Sequence, residues 1–370
     1  MGHVLRALGL PMGVAIGLVA FACCGAAQDM VNMSILTGAN GGTYHRFGLD
    51  IAAIVKKICH VDLDVRDSQG SIDNLARLRT EPFAQLAIVQ EDALAYVLLN
   101  KSRHPTIKDW VDKFRYVLPL YREEAHIVVR RDAKLRTLAD LAGKRVALGE
   151  PRSGTNLTAT LLLKAAGLLE GPSQIEEVQI GAREGIQRLL DAREAARVDA
   201  VFYVAGQPVP LLSDSENGIG GRQLAQLSLL DIPANPVKHL YSAAQFTQST
   251  YPWLDRTVET VAVRAVLITY DFKGPQCDNV AMTARLIGDN LEELQRFGHE
   301  KWRDVDLNAA VNGWQRSPCA STREKTAVRA CRFLSDREPV AATACRRSCE
   351  PGGNALECLL CKDKVESIGR

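Results

Sequence analysis

The sequence has no excess of either charge: 45 Lys and Arg stand against 43 Asp and Glu, a formal net charge of +2 over 370 residues. So even a balance gives no support to nucleic-acid binding through a basic surface. Catalytic signatures are also missing. There is no Gly-x-Ser-x-Gly elbow and no His-Glu-x-x-His pair, and the seven histidines are scattered. Glu91 and Asp92 are adjacent near an expected helix start, where neighbouring side chains point apart rather than forming an acid/base pair. Beyond the first thirty residues, no segment is long and apolar enough to cross a bilayer. What is present is an ordinary globular composition, 46% hydrophobic and 24% charged, in a chain long enough for two cores.

The N-terminus departs from that composition. Arg6 precedes an apolar run from Leu8 to Cys24, and Gly25-Ala26-Ala27 closes it with small residues, the layout of a secretory signal peptide cleaved after Ala27. Lipidation at Cys23 ranks second and a retained helix third. Export makes a periplasmic location the expectation and changes how the cysteines read. Without Cys23 and Cys24, eight of the ten remain, and an even number in an oxidising compartment favours disulfides over metal.

Leu36 to Asp92 organises the rest. A short strand, Ser34 to Leu36, runs into Thr37-Gly38-Ala39-Asn40-Gly41-Gly42-Thr43-Tyr44, where three glycines let the backbone approach a ligand. This loop is neither a P-loop nor G-x-G-x-x-G. Tyr44, Phe47, Ile51, Ile54 and Ile58 then predict one buried helix face. Val61, Leu63 and Val65 alternate as a strand. Ser68-Gln69-Gly70-Ser71 follows, with Ser71 as N-cap of a helix lined by Ile72, Leu75 and Leu78. A third strand, Phe83 to Val89, ends in Gln90-Glu91-Asp92. Helix N-termini converging at the carboxyl ends of successive strands favour a small anion, although each loop alone reads as an ordinary connection.

The same logic recurs later. Val117–Tyr121 and Ile127–Arg130 read as two strands separated by a charged crossing, with His126 a structural histidine. Gly149-Glu150-Pro151-Arg152-Ser153-Gly154-Thr155 opens a helix over Leu157 to Leu168, offering N–H groups, the hydroxyls of Ser153 and Thr155, and Arg152, either as an anion contact or as a solvated charge. Val198–Val204 is a strand carrying Tyr203 near its end, over a ligand or packed in the sheet, before Ala205-Gly206-Gln207-Pro208. A long strand spans Glu259–Tyr270, and an amphipathic helix spans Val280–Phe297.

Taken in order, Thr37-Gly38 with Gly41-Gly42-Thr43-Tyr44, Gly70-Ser71 with Asn74-Leu75, Val89-Gln90-Glu91-Asp92, Gly149 with Ser153-Gly154-Thr155, and Ala205-Gly206 with Pro208 resemble the TAXI solute receptors of tripartite (TRAP) transporters, from about Met33 to Phe297. The resemblance implies a two-lobed α/β periplasmic-binding-protein fold with hinge strands: a signal peptide over 1–27, lobe 1 from 28–122 and 233–314, lobe 2 over 123–232, and a cysteine-rich extension over 315–370. It implies a small carboxylate or glutamate-like amino acid in the cleft, delivered to a membrane permease, with no cofactor, metal or catalytic residue. Carried over by position, the cleft residues are Thr37, Gly42, Thr43, Tyr44, Ser71, Asn74, Gln90 and Asp92, with Arg152, Ser153, Gly154, Thr155, Tyr203 and Gly206 opposite. Arg152 stands where the family pattern more often has glycine. In the tail, Cys345 and Cys349 can pair with Cys361 and Cys358 across a hairpin, with zinc the competing reading. A ligand sensor for a membrane signalling partner and an exported α/β enzyme are the alternative functions.

Overall fold

Strands followed directly by amphipathic helices force parallel pairing, because a crossover must return the chain to the same end of the sheet. The computed structural model describes residues 33–321 apart from 103–104, 192, 194–195, 214–217 and 233–239. The expected leader and Cys345, Cys349, Cys358 and Cys361 lie outside the described residues. Strand β1 (Met33–Leu36) leads to α1 (Thr43–Cys59), β2 (Leu63–Arg66), α2 (Ser71–Thr80) and β3 (Ala84–Gln90), with β1 parallel to both β2 and β3. Helix α1 buries Tyr44, Phe47, Ile51, Ile54, Val55 and Cys59. Ile58, expected on that face, is 38% exposed, because a 3.6-residue period carries the stripe from Val55 to Cys59. Ser71 is not the N-cap either. Gly70 takes that position at φ 114°, and the Ser71 hydroxyl instead accepts the Gln90 backbone N–H at 3.0 Å.

After α3 (Glu91–Asn100) and α4 (Pro105–Val111) comes β4 (Phe114–Arg130), one unbroken strand where two were expected. The charged interval does not break it because its acids find partners: Lys301 pairs with buried Glu124 at 2.8 Å, and Tyr44 donates to Glu123. The chain continues through β5 (Arg145–Ala147), α5 (Gly154–Ala165), β6 (Glu176–Val178), α6 (Ala182–Leu189), β7 (Ala200–Ala205), α7 (Gly221–Leu224) and β8 (Leu227–Leu229). It then forms β9 (Ser242–Phe246) and β10 (Val258–Tyr270). The single helix expected over Val280–Phe297 is two, α8 (Pro275–Asp289) and α9 (Leu291–Phe297). Asn290 separates them, its side-chain amide bonding the Leu286 carbonyl as Asn does when it competes with the helical backbone. Cys277 of α8 is disulfide-bonded to Cys319 of α10 (Pro318–Ser321).

The sheet runs β2-β1-β3-β10-β4-β7-β5-β6, with β8 beside β4 and β9 beside β10. This is the expected α/β class, with antiparallel β4 and β10 at its centre. Both strands serve both ends. Ala265–Ile268 of β10 pairs with β3, whereas Val258–Ala262 pairs with β9. The second half of β4 pairs with β7. Side-chain alternation on β7 gives that end two cores: Phe202 and Val204 meet Leu162 of α5 on one face, while Val201 meets Ile186 of α6 on the other. At the β1–β3 end, Leu75, Leu94, Phe114 and Val266 share a third.

Candidate functional site

Loops from both ends of the sheet meet around one cavity of about 1120 Å³. Gly42, Thr43, Tyr44, Ser71 and Gln90 line it from the β1–β3 end; Ser153, Gly154, Thr155 and Tyr203 line it from the β5–β7 end. The walls approach closely. A Cβ on Gly70 would lie 3.3 Å from the Gly154 nitrogen, and one on Gly154 would collide with the Gln90 side chain. Only glycine permits that contact.

Most hydroxyls at the cavity already serve the backbone. Ser153 Oγ caps α5 by accepting the Asn156 N–H at 3.0 Å, and Thr155 Oγ1 accepts the Val204 N–H at 3.1 Å. Thr43 differs: its buried Oγ1 has no hydrogen-bond partner. Arg46 and Arg183 add positive charge to the lining, and Glu150 and Glu184 add negative charge.

Five residues expected at the site lie elsewhere, each for a visible reason. Thr37 is fully buried and donates to the Arg66 carbonyl at 2.9 Å. Asn74, also buried, donates to the carbonyls of Thr37 and Ile88 at 2.6 and 2.7 Å, tying β1 to β3 beneath the loop. Asp92 accepts hydroxyls from Thr158 of α5 at 2.7 Å and from Tyr241 at 2.9 Å. Burial raises its carboxyl to about 6. Arg152 pairs with Asp73 at 2.9 Å. Its φ of 67° lies in the left-handed region that glycine enters without cost. Gly206 is a packing glycine, since a Cβ there would sit 2.9 Å from both Tyr121 and Lys301.

Several cavity residues escaped the sequence reading, Arg46, Arg183 and Glu184 among them, and the most buried acid of the lining is another. Glu123 is 3% exposed and accepts the Tyr44 hydroxyl at 2.8 Å, with Tyr121 at 3.4 Å and the Gln90 amide also bonded to it. Desolvation pushes its carboxyl up to about 8, with the charges of Asp92 and Glu124 adding to the rise. Strand alternation turns Glu124 away from it, onto Lys301. His126 is structural in kind: fully buried, it hydrogen-bonds Tyr251 Oη at 2.8 Å and the Glu124 and Tyr203 carbonyls at 3.0 Å. Burial lowers it to about 3, so the ring is neutral. Among the described residues, no cluster of three or more His, Cys, Asp and Glu side chains is placed to hold a metal.

The NMT1-like family model matches residues 35–319, a span that contains the whole cavity. The chain belongs to the NMT1-like family. Its mixed α/β fold resembles that of periplasmic-binding-protein domains. Solved structures with a likeness to it include the periplasmic binding protein BugD, at 12% identity, covering 82% of this chain and 96% of that one, with a TM-score of 0.46. They also include the alkanesulfonate-binding protein SsuA of Xanthomonas axonopodis pv. citri bound to MOPS (15% identity, 74% and 84% covered, TM-score 0.40). A third is the substrate-binding protein of an amino acid ABC transporter (11% identity, 72% and 98% covered, TM-score 0.41). These are likenesses of fold, and they do not extend to a ligand. No helix among the described residues of this NMT1-like chain is long and apolar enough to cross a membrane.

Proposed function

We propose that the protein is an extracytoplasmic solute receptor of the TAXI type, closing two hinged lobes over a small carboxylate or amino acid and presenting it to a TRAP permease. The observation that carries this reading is one cavity walled by Gly42–Tyr44 and Ser71 on one side and Ser153–Thr155 on the other. Helices α1, α2 and α5 begin at that cavity, so unpaired N–H groups and positive dipole ends face it from both sides. Such donors replace the water around a carboxylate. Strands β4 and β10, shared by both ends of the sheet, are the connections about which the lobes would open.

A ligand that binds the closed form shifts the hinged pair toward it and raises the melting temperature by mass action. The test is a thermal-shift panel of L-amino acids and small mono- and dicarboxylates, followed by small-angle scattering with each hit. A rise in Tm together with a smaller radius of gyration, without turnover of the hit, supports the receptor. If no member of the panel shifts Tm, the reading fails.

A further inference from the structure

Among the described residues, Glu123 is the one strongly desolvated acid in the cavity wall. Its neighbours satisfy it only with neutral donors: Tyr44 of α1, Tyr121 of the same strand and Gln90 at the end of β3. Among the described residues no cationic side chain pairs with it. The other titratable groups acting on it are Asp92 and Glu124, both repulsive. Tyr203 of β7 feels the charges of both Glu123 and Arg183 of α6, and the cavity wall also carries His45, Arg46, Glu150 and Glu184. A buried carboxylate without a counter-charge is costly, so the empty site favours the neutral acid.

We infer that Glu123 is the specificity-determining counter-charge for an ammonium group on the solute, and that binding releases one proton from it. The step balances: the neutral carboxyl plus the ammonium ligand become a carboxylate–ammonium pair, and the proton leaves to solvent. Carrying the ligand's charge into the cavity supplies Glu123 with the partner that no described cationic side chain gives it. A plain carboxylic acid cannot do this. The donors at the helix N-termini hold the opposite end of such a ligand, so the cavity selects a molecule with both charges. This inference rests on the receptor reading and narrows it from carboxylates in general to those bearing an amine.

The sign of the pH dependence follows. An empty-site carboxyl near 8 must lose its proton before pairing, so affinity strengthens as pH rises from 7 toward 9, and it falls again at higher pH as the ligand's own ammonium loses its proton. Ionisation of Glu123 alone gives an increase of about tenfold, the ratio of empty receptor to receptor with Glu123 already ionised at pH 7, and partial loss of the ligand's ammonium proton at pH 9 trims it. Were Glu123 instead to donate its proton to a ligand carboxylate, affinity would weaken over the same interval.

The experiment uses the whole chain with each L-amino acid and its matched 2-hydroxy acid, titrated calorimetrically at pH 7 in two buffers of different ionisation enthalpy, then at pH 9. The inference expects an amino acid to bind with release of close to one proton, tighter at pH 9, and its hydroxy analogue to bind at least tenfold more weakly. Glu123→Gln keeps the shape and a neutral donor, so it should lose amino-acid affinity and its pH dependence. Equal affinity for amino and hydroxy acid, proton uptake on binding, or undiminished binding by Glu123→Gln would overturn the inference while leaving the receptor reading intact. Absence of binding by both series would overturn the receptor reading and the inference with it.

Discussion

The Tyr241 hydroxyl donates to the Asp92 carboxylate at 2.9 Å across 149 positions of sequence, and neither residue lines the cavity. Thr158 of α5 donates to the same oxygen at 2.7 Å. Asp92 begins α3 beside β3, whereas Tyr241 immediately precedes β9 and Thr158 lies on α5, so these bonds join the two ends of the sheet beside the cavity. Removing either hydroxyl leaves a buried acceptor short of a partner, which costs about 1–3 kcal/mol. Tyr241→Phe and Thr158→Val are each expected to lower stability by that amount in urea titration and to enlarge the ligand-free radius of gyration. A radius unchanged in both variants would show that these bonds do not hold the walls together.

Asn74 and Ser153 separate fold from site. Asn74→Ala strips the Thr37 and Ile88 carbonyls of a shared buried donor, and we expect a loss of about 2–4 kcal/mol. Because the side chain does not line the cavity, the folded variant should bind ligand as the parent does. Ser153→Ala removes the α5 N-cap at about 1 kcal/mol and alters the cavity wall, so its expected signature is a modest stability loss with weakened binding. Paired urea and ligand titrations distinguish the two; weakened binding by folded Asn74→Ala with unchanged binding by Ser153→Ala would reverse the assignment.

These two residues also show what a sequence can disclose. Glycine and hydroxyl loops announce themselves through local chemistry, so Gly42, Ser71 and Ser153 were legible as turns opening helices. Whether a polar side chain at such a turn faces a cavity or the layer below depends on packing from distant sequence. Asn74 and Asp92 face inward because Thr37, Ile88, Thr158 and Tyr241 arrive there from elsewhere. Glu123 did leave a local trace: a Glu-Glu pair inside an apolar strand run is expensive unless both acids have a purpose. The unbroken β4 was hidden by the same pair, which imitates a solvent-exposed crossing.

The Cys277–Cys319 bond closes a loop over a sequence separation of 42 residues and ties α10 to α8. Chain-entropy reasoning puts the stabilisation from a loop of that length at about 4 kcal/mol. Neither helix contributes to the cavity wall. Cys277→Ala/Cys319→Ala is therefore expected to lower the unfolding free energy from guanidinium titration by about 4 kcal/mol while leaving ligand affinity within about twofold of the parent. Loss of binding at temperatures where the variant remains folded would place the bond in the functional machinery instead.

Asp92 gives the stability of the protein a particular pH dependence. Burial raises its carboxyl from the ordinary 3.8 to about 6 in the folded chain, so the folded state holds its proton more tightly than the unfolded chain does. A raised carboxyl contributes stability that is fully present below about 4 and is lost as pH climbs through 6. The size is on the order of 3 kcal/mol for a shift of this extent. Glu123 loses stability in the same direction, continuing up to about 8, so wild-type curves alone mix the two groups. Asp92→Asn keeps an acceptor for Thr158 and Tyr241 but cannot ionise. The difference between wild-type and Asp92→Asn stabilities, from urea titrations at pH 4 to 7, should therefore fall with rising pH and flatten above 6. Parallel curves over that range would mean that Asp92 is not desolvated in the folded protein, and that the bonds to Tyr241 and Thr158 lie open to water.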